Sequence, residues 1–165
     1  MELRDKVVVV TGGASGIGTG LCRRFREEGV RGLVIADLNG DAASELAAEL
    51  DGTSYALDVR DESAIAAMVA ETEAEFGQID LFCSNAGILN LDGDDYWATS
   101  SNNDVWQKNW EVHVMAHIYA ARACLPGMIE RGEGHFLHTV SAAGLLTQPY
   151  TAAYATTKHA AIGFA

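Results

Sequence analysis

The sequence is poor in the residues that mark disordered, fibrous and disulfide-bonded proteins. Two prolines and three cysteines occur among 165 residues, which argues against proline-rich, collagen-like and disulfide-rich scaffolds. Cys22, Cys83 and Cys124 lie in apolar surroundings without paired or metal-like spacing, so we expect them to be buried as small apolar side chains. With 48% apolar and 21% charged residues, the composition predicts one globular domain over residues 1–165.

Positive charge and long apolar runs are scarce as well. Eleven Lys and Arg stand against 23 Asp and Glu, a formal net charge of −12, and residues 61–104 hold ten acids and no cation. Such a surface repels the phosphates of nucleic acids and anionic lipids, so neither nucleic acid nor membrane is an expected partner. No apolar run approaches the roughly 18 residues of a membrane span, and the first residues carry no signal-peptide pattern, which predicts a cytoplasmic protein.

Short apolar runs alternate with segments of helical spacing along the chain. In these segments apolar residues recur every three or four positions, as the buried face of a helix requires. Strands are predicted at residues 7–10, 33–36, 55–57, 81–83 and 136–140. Continuously apolar strands separated by helices predict an α/β fold, in which a doubly wound parallel sheet is covered by helices on both faces in three layers.

One longer helix is predicted after an irregular stretch at residues 90–103, which is rich in Asp, Gly, Ser and Asn and is typical of a loop. The helix is expected to run from about Asp104, a candidate N-cap, to Ile129. Pro126 and Gly127 are expected to fray its end.

A glycine-rich turn follows the first predicted strand. It reads Thr11-Gly-Gly-Ala-Ser-Gly-Ile-Gly18, and the helical pattern begins inside it. Gly12, Gly16 and Gly18 allow a tight turn, close approach of the backbone to a phosphate and close packing of helix on strand, while unpaired N–H groups attract the anion. Such a turn alone can be a simple connection, but its place between a strand and a helix favours a pyrophosphate site.

An acidic residue ends the second predicted strand, about 20 residues after the glycine-rich turn. At this position the carboxylate of Asp37 can accept hydrogen bonds from the adenosine ribose of a dinucleotide. The same carboxylate repels the 2′-phosphate of NADP, and neither Ser15 nor Leu38 supplies a cation for that phosphate. The sequence therefore predicts NAD as the cofactor, in preference to NADP.

Three residues near the end of the sequence form a candidate catalytic group. Ser141 follows the fifth predicted strand, Tyr154 comes thirteen positions later, and Lys158 four positions after that. Residues four apart share a helix face, so the Lys158 ammonium can favour the phenolate of Tyr154 and make it a general acid and base. Taken singly, a Tyr and Lys at this spacing are usually structural, and a serine after a strand is often a cap.

Together these motifs resemble the short-chain dehydrogenase/reductase family in its smaller, single-domain branch. The matching strings are Thr11-Gly-x-x-x-Gly-x-Gly18, Asp37, Asp58-Val59, Asn85-Ala-Gly87, Ser141 and Tyr154-x-x-x-Lys158. The resemblance covers the whole chain and implies a Rossmann-like NAD-binding domain with five of the usual seven strands. The family continues beyond the position of Ala165, so the resemblance also leads us to expect that a C-terminal part is missing.

The resemblance assigns roles to individual residues. Asp58 and Val59 would flank the adenine, Ser141 would orient the substrate oxygen, and Lys158 would also hold the nicotinamide ribose. The implied cofactor-binding set comprises Gly12, Ser15, Gly16, Ile17, Gly18, Asp37, Leu38, Asp58, Val59, Asn85, Ala86, Gly87, Tyr154 and Lys158.

The implied activity is hydride transfer between NAD(H) and a small-molecule secondary alcohol or ketone, with Tyr154 moving the proton. By the same resemblance we expect a homo-oligomer, either a dimer or a tetramer. The alternative is a truncated Rossmann domain that binds NAD without turnover.

One position departs from the family pattern. The long helix carries Val112-His113 where the family usually has Val-Asn, whose asparagine helps to hold a water chain to the lysine. His113 is therefore a candidate catalytic residue, because an imidazole with an ordinary pKa near 6.5 can relay protons. The competing interpretation is a histidine satisfied by the backbone in a helix bend. A zinc site with His117, one turn away, is rejected because no third ligand can be identified.

Overall fold

Five short runs of the chain form a parallel β-sheet. The computed structural model describes residues 1–93, 95 and 97–165, and in this part of the chain the strands are β1 (Val7–Thr11), β2 (Gly32–Asp37), β3 (Thr53–Ala56), β4 (Leu81–Ser84) and β5 (His135–His138). Their order across the sheet is β3-β2-β1-β4-β5, with every neighbouring pair parallel. The chain winds outward from β1 in both directions, which confirms the predicted doubly wound sheet.

Helices cover both faces of this sheet. They are α1 (Gly16–Glu27), α2 (Gly40–Leu50), α3 (Glu62–Phe76), α4 (Asn103–Trp110), α5 (Ala116–Arg131) and α6 (Ala152–Phe164). Successive side chains of a strand point to opposite faces, so the four fully buried valines of β1 divide between two cores. Val7 and Val9 pack in the core beneath α3 and α5, and Val8 and Val10 pack in the core beneath α1 and α2.

Burial is uneven across the sheet. The five residues of β1 and the four of β4 are all buried, as their continuous apolar runs predict. In β3 the residues are half-buried or exposed, and in β5 His135 and Leu137 are exposed, because these two strands lie at the edges of the sheet. All three cysteines are buried and unoxidised, as predicted. No helix in the described part of the chain has the length and hydropathy needed to cross a bilayer.

The predicted long helix is divided. Asn102, and not Asp104, caps α4 by accepting the Val105 N–H. A π-helical segment at Glu111–Met115 joins α4 to α5. The expected fraying at Pro126 is also wrong, because α5 continues through this proline and ends at Arg131. Its C-cap is Gly132, which has a left-handed backbone with φ 72°. A π segment inserts an extra residue into the helix and redirects the side chains that follow it.

Candidate nucleotide and catalytic site

An open groove of about 530 Å³ lies where the central strands end. Parallel strands bring their carboxyl ends to one edge, and the crevice at the point where strand order reverses is a common ligand site. Thirteen of the residues selected from the sequence line this groove: Gly12, Ser15, Gly16, Ile17, Asp37, Leu38, Asp58, Val59, Asn85, Ala86, Gly87, Tyr154 and Lys158. Gly18, Ser141 and His113 lie outside the groove lining.

The glycine-rich turn provides a close-packed anion cradle at one end of the groove. Gly12 and Gly16 have left-handed backbones, with φ of 63° and 50°. A Cβ on Gly12 would stand 2.7 Å from the Ala86 Cα, and one on Gly18 would stand 2.0 Å from the Gly12 carbonyl oxygen. Gly18 therefore packs α1 against the turn, and the N-terminus of α1 faces the groove.

The first turn of α1 keeps its backbone donors available. Among the described residues, Ser15 makes no side-chain capping hydrogen bond, and the first turn contains no acidic residue. The N–H groups and the positive end of the helix dipole attract a phosphate at this place. The turn thus fits a pyrophosphate both sterically and electrostatically.

Asp37 is held beside this turn at the end of β2. Its Oδ2 accepts the Ala14 N–H at 3.0 Å, and its Oδ1 accepts the Asn39 N–H at 3.0 Å. A carboxylate has about four acceptor sites, so each oxygen retains capacity for another donor. Leu38, the next residue, is 75% exposed beside the groove.

Asn85 connects three strand ends beneath the groove. Its Nδ2 donates to the carbonyls of Thr11 and Gly12 at 3.1 and 3.0 Å, and its Oδ1 accepts the Thr139 hydroxyl at 2.9 Å. These bonds join the ends of β1, β4 and β5. The amide of Asn85 is therefore engaged with the scaffold, although the residue lines the groove.

Tyr154 and Lys158 lie on the same face of α6, at the other end of the groove. Lys158 is only 3% exposed, and its Nζ donates to the Thr139 carbonyl at 3.0 Å. The same Nζ stands 5.7 Å from the centre of the Tyr154 ring. Burial lowers the pKa of Lys158, because an ammonium loses hydration there. The structure thus brings the Lys158 ammonium close to the Tyr154 ring, and the action of the ammonium on the phenol stays a prediction.

Ser141 lies two residues beyond Thr139, which lines the groove, and caps a short 3₁₀ turn at Ala142–Gly144. Its Oγ accepts the Ala143 N–H at 3.2 Å. A hydroxyl that accepts one hydrogen bond still has a proton to donate. The capping role considered from the sequence is therefore present, and it is compatible with a second role toward a ligand.

His113 is fully buried in the π segment, and both of its ring nitrogens face protein groups. Nε2 accepts the Ile88 N–H at 3.1 Å, and Nδ1 lies 2.9 Å from the Thr157 hydroxyl. That hydroxyl lies within donating distance of the Ala153 carbonyl, so it can accept from a protonated Nδ1. The ring also packs edge-on against Tyr154, with centroids 5.3 Å apart.

Burial lowers the pKa of His113 to about 4, because the imidazolium would lose its hydration. The ring is therefore neutral at physiological pH, with one nitrogen donating and the other accepting. This geometry supports the interpretation of His113 as a satisfied residue of the helix bend and argues against a titrating relay. His117 has a separate partner, since its Nδ1 lies 2.6 Å from the Ser84 hydroxyl.

Two cations of the groove were not singled out from the sequence. The Arg60 guanidinium donates to both oxygens of Asp58 at 2.6–3.0 Å, and this hydrogen bonding lowers the pKa of Asp58. Lys108 lines the groove from α4. Arg60 could have been found from the sequence, because it lies two residues after Asp58. Lys108 could not, because it reaches the groove only through the packing of α4.

A family model described as short chain dehydrogenase matches residues 6–165. The 1-deoxy-11-beta-hydroxypentalenate dehydrogenase of Streptomyces exfoliatus is 36% identical over 171 residues, which cover 100% of this chain and 61% of that protein. The 2-dehydro-3-deoxy-L-rhamnonate dehydrogenase (NAD(+)) of Sphingomonas sp. (strain SKA58) is 34% identical, covering 96% of this chain and 63% of that protein. The chain thus spans about three fifths of these relatives.

Solved structures show the same fold. LigO in its apo form, from Sphingobium sp. strain SYK-6, superposes with a TM-score of 0.90 at 33% identity, covering 100% of this chain and 62% of that one. A short chain dehydrogenase/reductase from Burkholderia phymatum in complex with NAD has a TM-score of 0.91 at 27% identity, covering 99% of this chain and 59% of that one. Sequence, fold and groove agree, and the chain belongs to the short chain dehydrogenases, a family of oxidoreductases.

Proposed function

We propose that the protein transfers a hydride between NAD(H) and a secondary alcohol or the corresponding ketone. The observation that carries this proposal is the buried Lys158 ammonium, 5.7 Å from the Tyr154 ring, in the same groove as the glycine-rich turn. A dinucleotide that extends along this groove brings its nicotinamide toward Tyr154. The named relatives include an NAD(+) dehydrogenase and an NAD complex, which supports the same cofactor here.

Different residues of the groove would bind different parts of NAD. The pyrophosphate would lie on the N–H groups of the Gly12–Gly18 turn, where a side chain at Gly12 would collide with Ala86. The adenosine ribose would donate to Asp37, and the adenine would lie beside Asp58 and Val59. Leu38 offers no charge to a 2′-phosphate, and the charge of Arg60 is compensated by Asp58, so NAD is preferred over NADP.

Tyr154, Lys158 and Ser141 would carry out and support the proton transfer to and from the substrate oxygen. NAD, when bound, supplies the hydride acceptor or donor at its nicotinamide ring. In the oxidation direction the Tyr154 phenolate takes the proton of the substrate hydroxyl as the carbonyl forms, and the Lys158 ammonium stabilises the phenolate. Ser141 donates its hydroxyl proton to the substrate oxygen and orients it. In reduction, Tyr154 returns the proton to the oxygen.

His113 is proposed here as a positioning residue, since both of its nitrogens are held by the protein. It links Ile88, in the segment after β4, to α6 at Thr157 and packs against the Tyr154 ring. The family asparagine at this position also carries both an acceptor and a donor. A neutral histidine can therefore replace it in geometry without taking part in proton transfer.

The test is the substitution Tyr154→Phe, which removes one hydroxyl and retains the ring. NADH formation from cyclohexanol, borneol and menthol should be lost, whereas NAD binding measured by calorimetry should persist. Tyr119→Phe, on α5 outside the groove, is the matched control and should retain activity. Turnover by Tyr154→Phe would contradict the mechanism, and NAD binding by a wild-type chain without any turnover would favour the NAD-binding module.

Association of the chain with itself is also proposed. Three large apolar side chains on α4 and α5 are exposed: Trp110 at 42%, Leu125 at 42% and Ile129 at 69%. Exposed apolar clusters often mark contact surfaces, and a homodimer or homotetramer would cover them. Sedimentation equilibrium tests this, and a purely monomeric protein in its full natural chain would contradict it.

A further inference from the structure

The helix that carries Tyr154 and Lys158 receives its N-terminal cap from a distant part of the chain. Thr151, the residue at its N-cap position, makes no side-chain capping hydrogen bond in the described structure. Instead, Oδ1 of Asp92 accepts the Ala152 N–H at 2.8 Å, from 60 residues earlier in the sequence. A carboxylate at a helix N-terminus satisfies an unpaired donor and interacts favourably with the helix dipole.

Asp92 is buried and makes further hydrogen bonds with its backbone and its side chain. It is 6% exposed, its backbone N–H donates to the Tyr150 carbonyl at 2.8 Å, and its Oδ1 accepts the Ser101 hydroxyl at 3.4 Å. Tyr150 has a left-handed backbone, with φ of 66°, which a residue with a side chain adopts at a cost in conformational energy. The bond from Asp92 supports this unfavourable turn directly before α6.

The hydrogen bonds of Asp92 connect the segment after β4 to the start of α6, the helix that carries Tyr154 and Lys158. Asp92 belongs to the segment after β4, and residues 85–89 of this segment line the groove. The N–H that it caps lies two residues before Tyr154. Reacting groups must be held within a fraction of an ångström of their productive positions, so a shift in the start of α6 displaces the Tyr154 hydroxyl.

We propose that Asp92 is a positioning residue that sets the start of α6, and with it the place of Tyr154, through its acceptor oxygen. This inference rests on the proposed function. For this role residue 92 needs an oxygen atom that accepts a hydrogen bond. Asp92 itself does not contact substrate or cofactor in this proposal.

The test compares Asp92→Ala, which removes the acceptor, with Asp92→Asn, which retains one oxygen acceptor in the same place. In the full natural chain with NAD and cyclohexanol, borneol or menthol, Asp92→Ala should lower kcat about tenfold or more. The KM for NAD should change less than about twofold, because most of the proposed contacts to NAD are made by the Gly12–Gly18 turn, Asp37 and Asp58, which Asp92 does not touch. Asp92→Asn should restore kcat to within about threefold of wild type.

Asp61→Ala is the matched control, because Asp61 caps α3 by accepting the N–H groups of Ser63 and Ala64 on the protein surface. It removes a helix cap of the same chemistry and should leave kcat within about twofold of wild type. A wild-type kcat for Asp92→Ala, an equal loss for Asp61→Ala, or a failure of Asp92→Asn to restore the rate would each overturn the role of Asp92.

If wild type forms no NADH from any of these alcohols, the proposed function fails, and Asp92 is then judged by amide hydrogen exchange. Exchange at residues 152–154 should be faster in Asp92→Ala than in wild type, while exchange in α3 is unchanged. Equal exchange at residues 152–154 in both proteins would overturn the inference by itself.

Discussion

The Nε2 atom of His113 accepts the backbone N–H of Ile88 at 3.1 Å, so a side chain from the π segment stabilises the backbone beside the groove. The same ring reaches Thr157 through Nδ1 and packs edge-on against Tyr154. One histidine thus joins the segment that follows β4, a helix bend and the helix that bears Tyr154 and Lys158. The imidazole of His113 is neutral here, and it accepts a hydrogen bond at Nε2 and can donate one at Nδ1.

The first prediction concerns the pH dependence of catalysis. His113→Asn retains a donor and an acceptor, so kcat/KM should remain within about threefold of wild type, and the acidic limb of the pH profile above pH 5 should not move. His113→Leu fills the site without these hydrogen bonds and should lower kcat at least about tenfold. An acidic limb displaced by His113→Asn would restore the relay hypothesis.

The second prediction concerns stability in acid. Burial lowers the pKa of His113 to about 4 and that of His117 to about 3, whereas in the unfolded chain both titrate near 6.5. As the pH falls below 6.5 the unfolded chain binds protons that the folded chain does not, so stability is lost in this range. Between pH 7 and pH 5 the loss should be on the order of 2 kcal/mol for each histidine.

Urea unfolding at a series of pH values measures this loss. His113→Asn should reduce the pH dependence of the free energy of unfolding by about the contribution of one histidine, whereas the same substitution at the exposed His135 should leave it unchanged. A pH dependence identical in His113→Asn and wild type would show that the ring is not held neutral.

The third prediction concerns the choice of cofactor. Asp37→Asn keeps oxygen and shape beside Ala14 but removes the negative charge that a 2′-phosphate would meet. The ratio of the NADP and NAD dissociation constants should therefore shift toward NADP by at least about tenfold. Calorimetry with both dinucleotides measures the ratio, with Asp41→Asn in the first turn of α2 as a control. An unchanged ratio would mean that Asp37 does not contact the ribose.

The fourth prediction uses two glycines of the same helix. A Cβ on Gly18 would stand 2.0 Å from the Gly12 carbonyl oxygen, whereas a Cβ on Gly20 would meet nothing within 4 Å. Gly18→Ala should therefore push α1 away from the turn and weaken NAD binding at least about tenfold. Gly20→Ala should bind NAD normally and gain up to about 1 kcal/mol of stability. Equal NAD affinity in the two variants would contradict the packing described for Gly18.

Local patterns in the sequence were sufficient for the framework of the fold. The glycine-rich turn after β1, the apolar run of valines and the spacing of Tyr154 and Lys158 each depend on residues close together in the chain. Alternation of strands and helices then restricts the topology, because parallel strands need crossovers of one hand. The groove-lining residues Gly12 and Asp37 were reachable in this way, whereas Asn85 was reached only through the resemblance to the family.

Contacts between distant polar groups were decided only by the tertiary structure. The sequence suggested Asp104 as a cap and a continuous helix through position 113, whereas in the structure the nearby Asn102 caps α4 and a π segment interrupts the helix. Nothing local indicates that Asp92 caps α6, which begins 60 residues later in the chain.

The local patterns could be read from the sequence and the distant contacts could not, because the two depend on residues at different separations along the chain. Periodicity and turn chemistry record which side of a segment is buried and where the backbone bends, and both are properties of neighbouring residues. A buried donor or acceptor must find a partner wherever the fold brings one. Motif and strand pattern were therefore determined by the sequence itself, while the partners of His113 and Asp92 were determined by how the helices pack against the sheet.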